Sequence, residues 1–449
     1  MLFIETDHLK PGMRLAKPIY NKVGVMLYDR DTRLTEKGIQ SIRNFNLIGI
    51  YILEPAEPLP PLSDEDIELE QFLTVSMFKI QDIMDSLMNN KETNELNKLA
   101  QDIIRHYGSL DHKMNFLQPL RSGTDYVYKH ANSVAILTAL LSHALKISYA
   151  DQVRFVTAAL IYDIGYLYAN TDMMQKLEGS ALADDLLKQA IDKGVSKLKE
   201  PSNRAQIPNE SLIIVSQMAV YNRNPKETQS ASIRLAKGSQ ILLVADAYDS
   251  LTAMRWGSKP ISELAAIRYL QKYPKVYPEE VVDALIASVY LLPRGCCVDL
   301  SHREKGLVLE DNPVNPLEPL ILNFADNRIY DLSDPTVNSK HQIVDIMKTM
   351  DNRIQIDADI LKKFHADEHI TKTAERYRKS KQKLYEVEQK RKEEEAREKE
   401  LREKESLEKE RQRQISNEPI IAKPLAPEDA LAPTEPVPAR PKRPRKKLI

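Results

Sequence analysis

Two side chains stand out by type and place, His130 and Asp163. They bracket the stretch KHANSVAILTALLSHALKISYADQVRFVTAALIYDIGY, Lys129 to Tyr166. Val134, Leu137, Leu141 and Leu145 recur at helical spacing, and so do Val153, Val156, Leu160 and Ile164. The polar turn Ser148-Tyr149-Ala150-Asp151 separates two helices, with Ser148 as N-cap and Asp151 three residues later. His130 opens this helical pair and Asp163 closes it. An imidazole and a carboxylate so placed can form a buried hydrogen bond or ion pair that holds two helices, or serve a reactive site. Other chemistries have less support. The chain has no Walker-type glycine loop, no dinucleotide fingerprint and no cysteine in a catalytic context.

These helices resemble the core of the HD-GYP family, HD-type phosphohydrolases that hydrolyse cyclic diguanylate. In that family a His begins one helix, and a His-Asp pair ends the next, commonly running on as Asp-Ile-Gly-Lys. Later His-containing segments and a final Asp in an Ala-Asp-x-Tyr-Asp-like helix complete a multi-metal centre. Such metals make hydroxide near neutral pH and clamp the in-line displacement. The resemblance implies His130 as the first His and Asp163 as the Asp of the pair. It implies Asp246, in VADAYDSLT, as the final Asp, with Tyr248 and Asp249 keeping its surroundings.

The departures fall on the chemistry. Tyr162 stands where the His of the pair belongs, and Tyr166 where the Lys belongs. No histidine occurs between Asp163 and Asp246. The segment IIVSQMAVYN places Met218, Ala219 and Val220 where His-His-Glu is due, and none of these is a ligand for a hard divalent ion. Asn222-Arg223-Asn224-Pro225-Lys226 follows in place of Gly-Tyr-Pro, and Arg255-Trp256-Gly257-Ser258-Lys259-Pro260 in place of a basic Arg-Pro-Tyr-Arg-like stretch. A phenol with a pKa of about 10 is neutral at pH 7, although tyrosinate does ligate some irons.

The expectation is therefore a catalytically degenerate HD-GYP-like signalling or scaffold protein, with no cofactor and with Asp163 and Asp246 vestigial. It would bind a protein or a cyclic dinucleotide without hydrolysis, and a homodimer is compatible with it. The alternative is an active phosphodiesterase with an altered ligand set, holding Fe or Mn on His130, Asp163 and Asp246. Arg223, Lys226, Arg234, Lys237, Arg255 and Lys259 flank the former mouth and could meet phosphates. Trp256, the one tryptophan, reads as packing.

The wider chain fits a mainly α protein. It has 449 residues, enough for two to four compact units, with 42% hydrophobic and 29% charged residues and only 13 glycines. A formal net charge of -1 excludes a global field driving it onto nucleic acid or membrane. No apolar run is long enough to span a bilayer. The start, MLFIETDHLKPGM, does not read as a signal peptide. The adjacent Cys296 and Cys297 rarely bridge without strain and give no zinc framework, so a cytoplasmic setting is expected.

Five segments follow in order. Residues 1–54 read as a small α/β accessory module, with strands at Leu15 to Tyr20 and Val25 to Tyr28 and a Thr35-capped helix, Glu36 to Phe45. This layout is similar to a domain that often precedes HD-GYP domains. A proline-rich linker, Glu54 to Pro61, leads to a helical core over 63–290. Its first helix starts at Ser63 and is expected to turn Ile67, Phe72, Val75, Phe78, Ile83 and Leu87 inward. Residues 291–333 read as a small β extension, resembling one that follows many HD-GYP cores. Residues 334–414 read as helical, including Asn338 to Phe364, and end in a solvated charged helix with i,i+4 pairs such as Glu398-Arg402. Residues 415–449 are Pro-rich and expected to be disordered. The basic end, Arg440 to Lys447, could touch anionic membrane or nucleic acid.

Overall fold

The computed structural model describes residues 2–20, 25–44, 47, 49–53, 64–116, 118–169, 181–223, 235–254, 260–292, 294–346 and 368–416. Residues 1–385 form one compact unit and residues 386–449 a second. The fold is mainly α. No described helix is long and apolar enough to cross a membrane.

The N-terminal module pairs β1 (Leu2–Glu5) and β2 (Arg14–Leu15) with β5 (Gly49–Leu53), both antiparallel, in the order β1-β5-β2. Leu2 faces Ile52, and Glu5 faces Gly49. A separate hairpin joins β3 (Ile19–Tyr20) to β4 (Met26–Tyr28). The expected single strand from Leu15 to Tyr20 is thus two short ones. Pro18, which has no N–H to donate to a ladder, lies in the break. Thr35 Oγ1 accepts from Gly38 N at 3.1 Å and caps α1 (Glu36–Asn44), which buries Ile39 and Ile42. The turn Asn21–Gly24, Phe45 and the linker lie outside the described residues.

The core is built around α4 (Tyr126–Ala144). Every residue from His130 to Ser142 is buried, as a helix enclosed on all sides requires. Around it pack α2 (Asp64–Met88), α3 (Glu95–Tyr107), α5 (Tyr149–Ile161), α9 (Lys237–Thr252) and α11 (Glu279–Ser288). Asn132, at a fully buried position on α4, donates to Leu73 O at 3.0 Å and Ser76 Oγ at 2.7 Å on α2. Ser148 caps α5 as expected, accepting from Asp151 N at 3.3 Å.

On α2 the inward face differs from the expected one. Leu69, Leu73, Met77, Ile80, Ile83, Met84 and Leu87 are buried, while Ile67 and Val75 are 42% and 59% exposed. Both stripes are apolar, so periodicity alone could not choose between them. The remaining core helices are α6 (Ala181–Leu198), the short α7 (Pro201–Arg204), α8 (Asn209–Arg223) and α10 (Glu263–Lys272). Ser262 caps α10, accepting from Ala265 N at 3.1 Å.

The C-terminal part of the first unit is a five-stranded antiparallel sheet, ordered β10-β6-β7-β8-β9. Its strands are β6 (Cys297–Leu300), β7 (Lys305–Glu310), β8 (Leu320–Asn323), β9 (Arg328–Asp331) and β10 (Ile343–Ile346). The sheet outlasts the expected extension. Helical structure after residue 334 is limited at first to α12 (Pro335–Asn338), and β10 then returns to pair with β6. A partner strand distant in sequence overrides a helical reading of Ile343–Ile346, and the rest of the expected helix, 347–364, lies outside the described residues.

The charged helix is α13 (Glu368–Ser416). Its first turns are not solvated throughout. Ala374 and Tyr377 bury against Leu307, Leu309, Leu320 and Leu322, and Arg378 makes a bidentate pair with Glu310 at 2.7 Å for each bond. Leu384 and Val387, farther on, are 52% and 65% exposed. In the second unit Glu398 and Arg402 approach to 3.5 Å, as the spacing predicts. The tail after Ser416 lies outside the described residues.

Candidate functional site

Three chain segments bring the candidate residues together. His130 sits one turn into α4. Asp163 follows the end of α5 and leads into a 3-10 turn, Ile164–Tyr168. Asp246 lies in the middle of α9. The turn after Asp163 is fixed by glycine on glycine. A Cβ on Gly194 of α6 would come within 2.4 Å of the Gly165 Cα, and one on Gly165 within 2.7 Å of Ala190 O. Only two glycines allow this approach, which sets where Asp163 sits.

His130 Nε2 lies 3.0 Å from Asp246 Oδ1 and 3.3 Å from Asp163 Oδ2. The three candidate ligand atoms all fall within 4.8 Å of one another. Tyr162 closes the cluster. Its hydroxyl oxygen is 2.7 Å from His130 Nε2 and donates to Asp246 Oδ1 at 2.7 Å. His130 and Asp163 are buried, and Asp246 is partly buried.

A second layer holds the imidazole from behind. His130 Nδ1 is 2.5 Å from Asp249 Oδ2, one turn along α9 from Asp246. Arg121 Nη2 donates to both oxygens of Asp249 at 2.7 and 2.8 Å. Arg121 and Asp249 are both fully buried. Arg121 also lies over the ring of Tyr126, 5.3 Å from its centroid, and Tyr126 stacks on His130 at 5.6 Å. Gln118 extends the chain of contacts outward. It accepts from Arg121 Nη2 at 3.3 Å, donates to Thr252 Oγ1 at 2.9 Å, and its carbonyl accepts from Lys17 Nζ of the N-terminal module at 2.6 Å.

The electrostatics follow from burial and pairing. Burial would raise the Asp249 carboxyl, but Arg121 and His130 outweigh it and hold the group below its ordinary range. Burial opposes a charged imidazole, yet Tyr126 and the three carboxylates around His130 push its pKa well above the usual value. Burial, with Asp163 and Asp246 nearby, pushes the Tyr162 phenol well up, so it keeps its proton. Asp163 is raised by burial, against the pull of His130.

Metal fit can be judged from this donor set. One nitrogen and two carboxylate oxygens are the kinds of atom a divalent ion takes, and a His whose other nitrogen is tied to a carboxylate is the usual support for such a ligand. A protonated phenol is not a ligand. Among the described residues no second group of three His, Cys, Asp or Glu side chains offers a site. Met218 and Ala219, where further ligands are due, are buried apolar side chains, and Val220 points to solvent at 45% exposure. The described residues therefore do not fit a two-metal centre.

No protein-family model matches the chain. It is 22% identical over 262 residues to a cyclic di-GMP phosphodiesterase of Pseudomonas aeruginosa, covering 57% of this chain and 60% of that protein. The chain thus spans about three-fifths of the length of that curated relative. A solved HDG"Y"P protein from Bdellovibrio bacteriovorus aligns with 63% of this chain and 97% of its own, at 14% identity and a TM-score of 0.38.

Set against the HD-GYP pattern, His130, Asp163 and Asp246 converge. Of the flanking cations, Lys237 forms an ion pair with Glu280 at 2.6 Å. Lys226, Arg234, Arg255, Trp256, Lys259 and the side chain of Arg223 lie outside the described residues. Arg121 escaped sequence reasoning. Its only signal was a lone arginine in the apolar approach Phe116-Leu117-Gln118-Pro119-Leu120 to α4.

Proposed function

We propose that this chain is a non-hydrolytic HD-GYP-like signalling protein whose core binds a cyclic dinucleotide or a protein partner. The observation that supports this is the hydroxyl of Tyr162, set 2.7 Å from both His130 Nε2 and Asp246 Oδ1. It contacts two of the three side chains that could hold an ion. The apolar Met218 and Ala219 add to the argument, because phosphodiester hydrolysis of this kind calls for several ligands around two ions.

The competing reading is a one-metal phosphodiesterase on His130, Asp163 and Asp246, favoured by the mutual approach of these three ligand atoms. In that case the ion would supply Lewis acidity, while this chain's own part is to hold His130 through Asp249 and Arg121. Metal content of the purified protein, with cyclic diguanylate binding and turnover, separates the two. The same assays apply to the Asp163→Ala, Asp246→Ala double variant. Binding without turnover supports the proposal. Stoichiometric metal with hydrolysis that disappears in the double variant sinks it. Absence of nucleotide binding, with no turnover, leaves a protein partner as the ligand.

A further inference from the structure

A cavity of about 660 Å³ lies away from the His130 cluster, along one face of α8. Leu212, Ile213, Ser216 and Val220 line it at helical spacing, and Leu243 of α9 contributes to its apolar wall. Ile213 and Val220 are 52% and 45% exposed along it. The volume falls in the range of small-molecule sites.

The charged residues described along it have one sign. Lys199 and Arg204, on the segment that enters α8, line the cavity with Lys275, and no acidic side chain is among its described lining residues. All three cations are exposed, and none forms an ion pair among the described residues. Two other lysines of the core are paired, Lys237 with Glu280 and Lys197 with Glu200. Three uncompensated cations around an apolar wall complement a ligand with an apolar body and an anionic head.

We propose that this cavity binds an anionic amphiphile, a chain or flat ring system ending in a phosphate, sulfonate or carboxylate. The apolar wall supplies affinity through burial. The cations set the sign of charge that is accepted, since exposed ion pairs add little energy of their own. None of its lining residues belongs to the His130 cluster, although Val220 also stands at a position where the HD-GYP resemblance expects a ligand.

The test is calorimetric titration of the full chain with dodecyl phosphate below its micellar concentration, and with dodecyltrimethylammonium as the cationic counterpart. Two variants accompany it: Ile213→Glu, and the triple change Lys199→Glu, Arg204→Glu, Lys275→Glu. These residues are exposed, and circular dichroism confirms that each variant is folded. The expected result is one saturable site for dodecyl phosphate, with affinity reduced about tenfold or more in either variant, and weaker binding of the cation to the native chain. Equal binding of both amphiphiles, unsaturable uptake, or binding unchanged in both variants overturns the proposal. So does capture of an acidic helical peptide without dodecyl phosphate, which would make the cavity a protein groove.

Discussion

Asp249→Asn should be the most damaging single conservative change near the site, and Arg121→Met should partly rescue it. Arg121 is fully buried and spends one nitrogen on Asp249, at 2.7 and 2.8 Å, while its Nε and Nη1 have no hydrogen-bond partner among the described residues. Removing the carboxylate charge leaves a buried guanidinium uncompensated, a loss of about 3–5 kcal/mol in comparable pairs. The amide introduced by Asp249→Asn can still accept from His130 Nδ1 through its oxygen, so most of the cost falls on Arg121. Arg121→Met alone leaves Asp249 with His130 as its one charged partner and should cost less. Combining the two removes both charges together with the two unsatisfied donors. The double variant should therefore be more stable than Asp249→Asn alone, with a coupling of about 2 kcal/mol or more in the cycle. Urea denaturation followed by far-UV circular dichroism measures all four corners. Single losses under about 1 kcal/mol that simply add would refute the buried pair as described.

Tyr162→His should raise divalent-ion retention to about one Mn per chain after dialysis, read by elemental analysis, because a neutral imidazole replaces a protonated phenol beside Asp246. Cyclic diguanylate turnover should stay absent in that variant, and appreciable turnover would contradict the need for a second ligand set. Burial lowers Lys17 from 10.5 to about 8. A lysine with a lowered folded pKa binds fewer protons folded than unfolded between these values. Stability should therefore rise across that window, by up to about 1.4 kcal/mol per pH unit, and Lys17→Met should flatten the rise in urea titrations at pH 7 to 10. Ser148→Ala and Ser262→Ala should each cost about 1 kcal/mol in the same assay, as each hydroxyl caps a helix of the core, and a loss near zero for both would show that these caps are idle.

Much of the fold could be read from the chain because its helices carry their own punctuation. Ser148, Thr35 and Ser262 start helices where their hydroxyls accept from the backbone three residues on. What could not be read was the choice among equivalent faces. On α2, Ile67 and Val75 are as apolar as Leu69 and Leu73, and only the position of α4 decides which pair is covered. The same holds for Ile343–Ile346, whose strand conformation depends on β6, more than forty residues earlier. Local propensity carries no record of such a partner. The candidate site was legible in its ligand-type residues, since His130, Asp163 and Asp246 are chemically distinctive. Its support was not, because Arg121 reads as a surface cation until the fold buries it.

The His130 cluster can be retained without catalysis. Three carboxylates, Asp163, Asp246 and Asp249, approach one imidazole, and one guanidinium backs the deepest of them. Deleting His130, Arg121 or the Asp249 that backs Arg121 leaves a buried partner under-compensated, at a cost of about 3–5 kcal/mol in comparable pairs. On the proposed reading, Tyr162 stands where the pair's histidine is expected. The phenol keeps its proton and donates it to Asp246 while touching His130, so the hydroxyl supplies from the protein the positive end of a dipole where a metal-based site would place an ion. On the proposed reading this explains why the departures gather at Tyr162 and Met218 while His130, Asp163, Asp246 and Asp249 stay. In the second group, His130 and Asp249 cannot be lost singly without leaving a buried charge under-compensated against the helix at the centre of the fold.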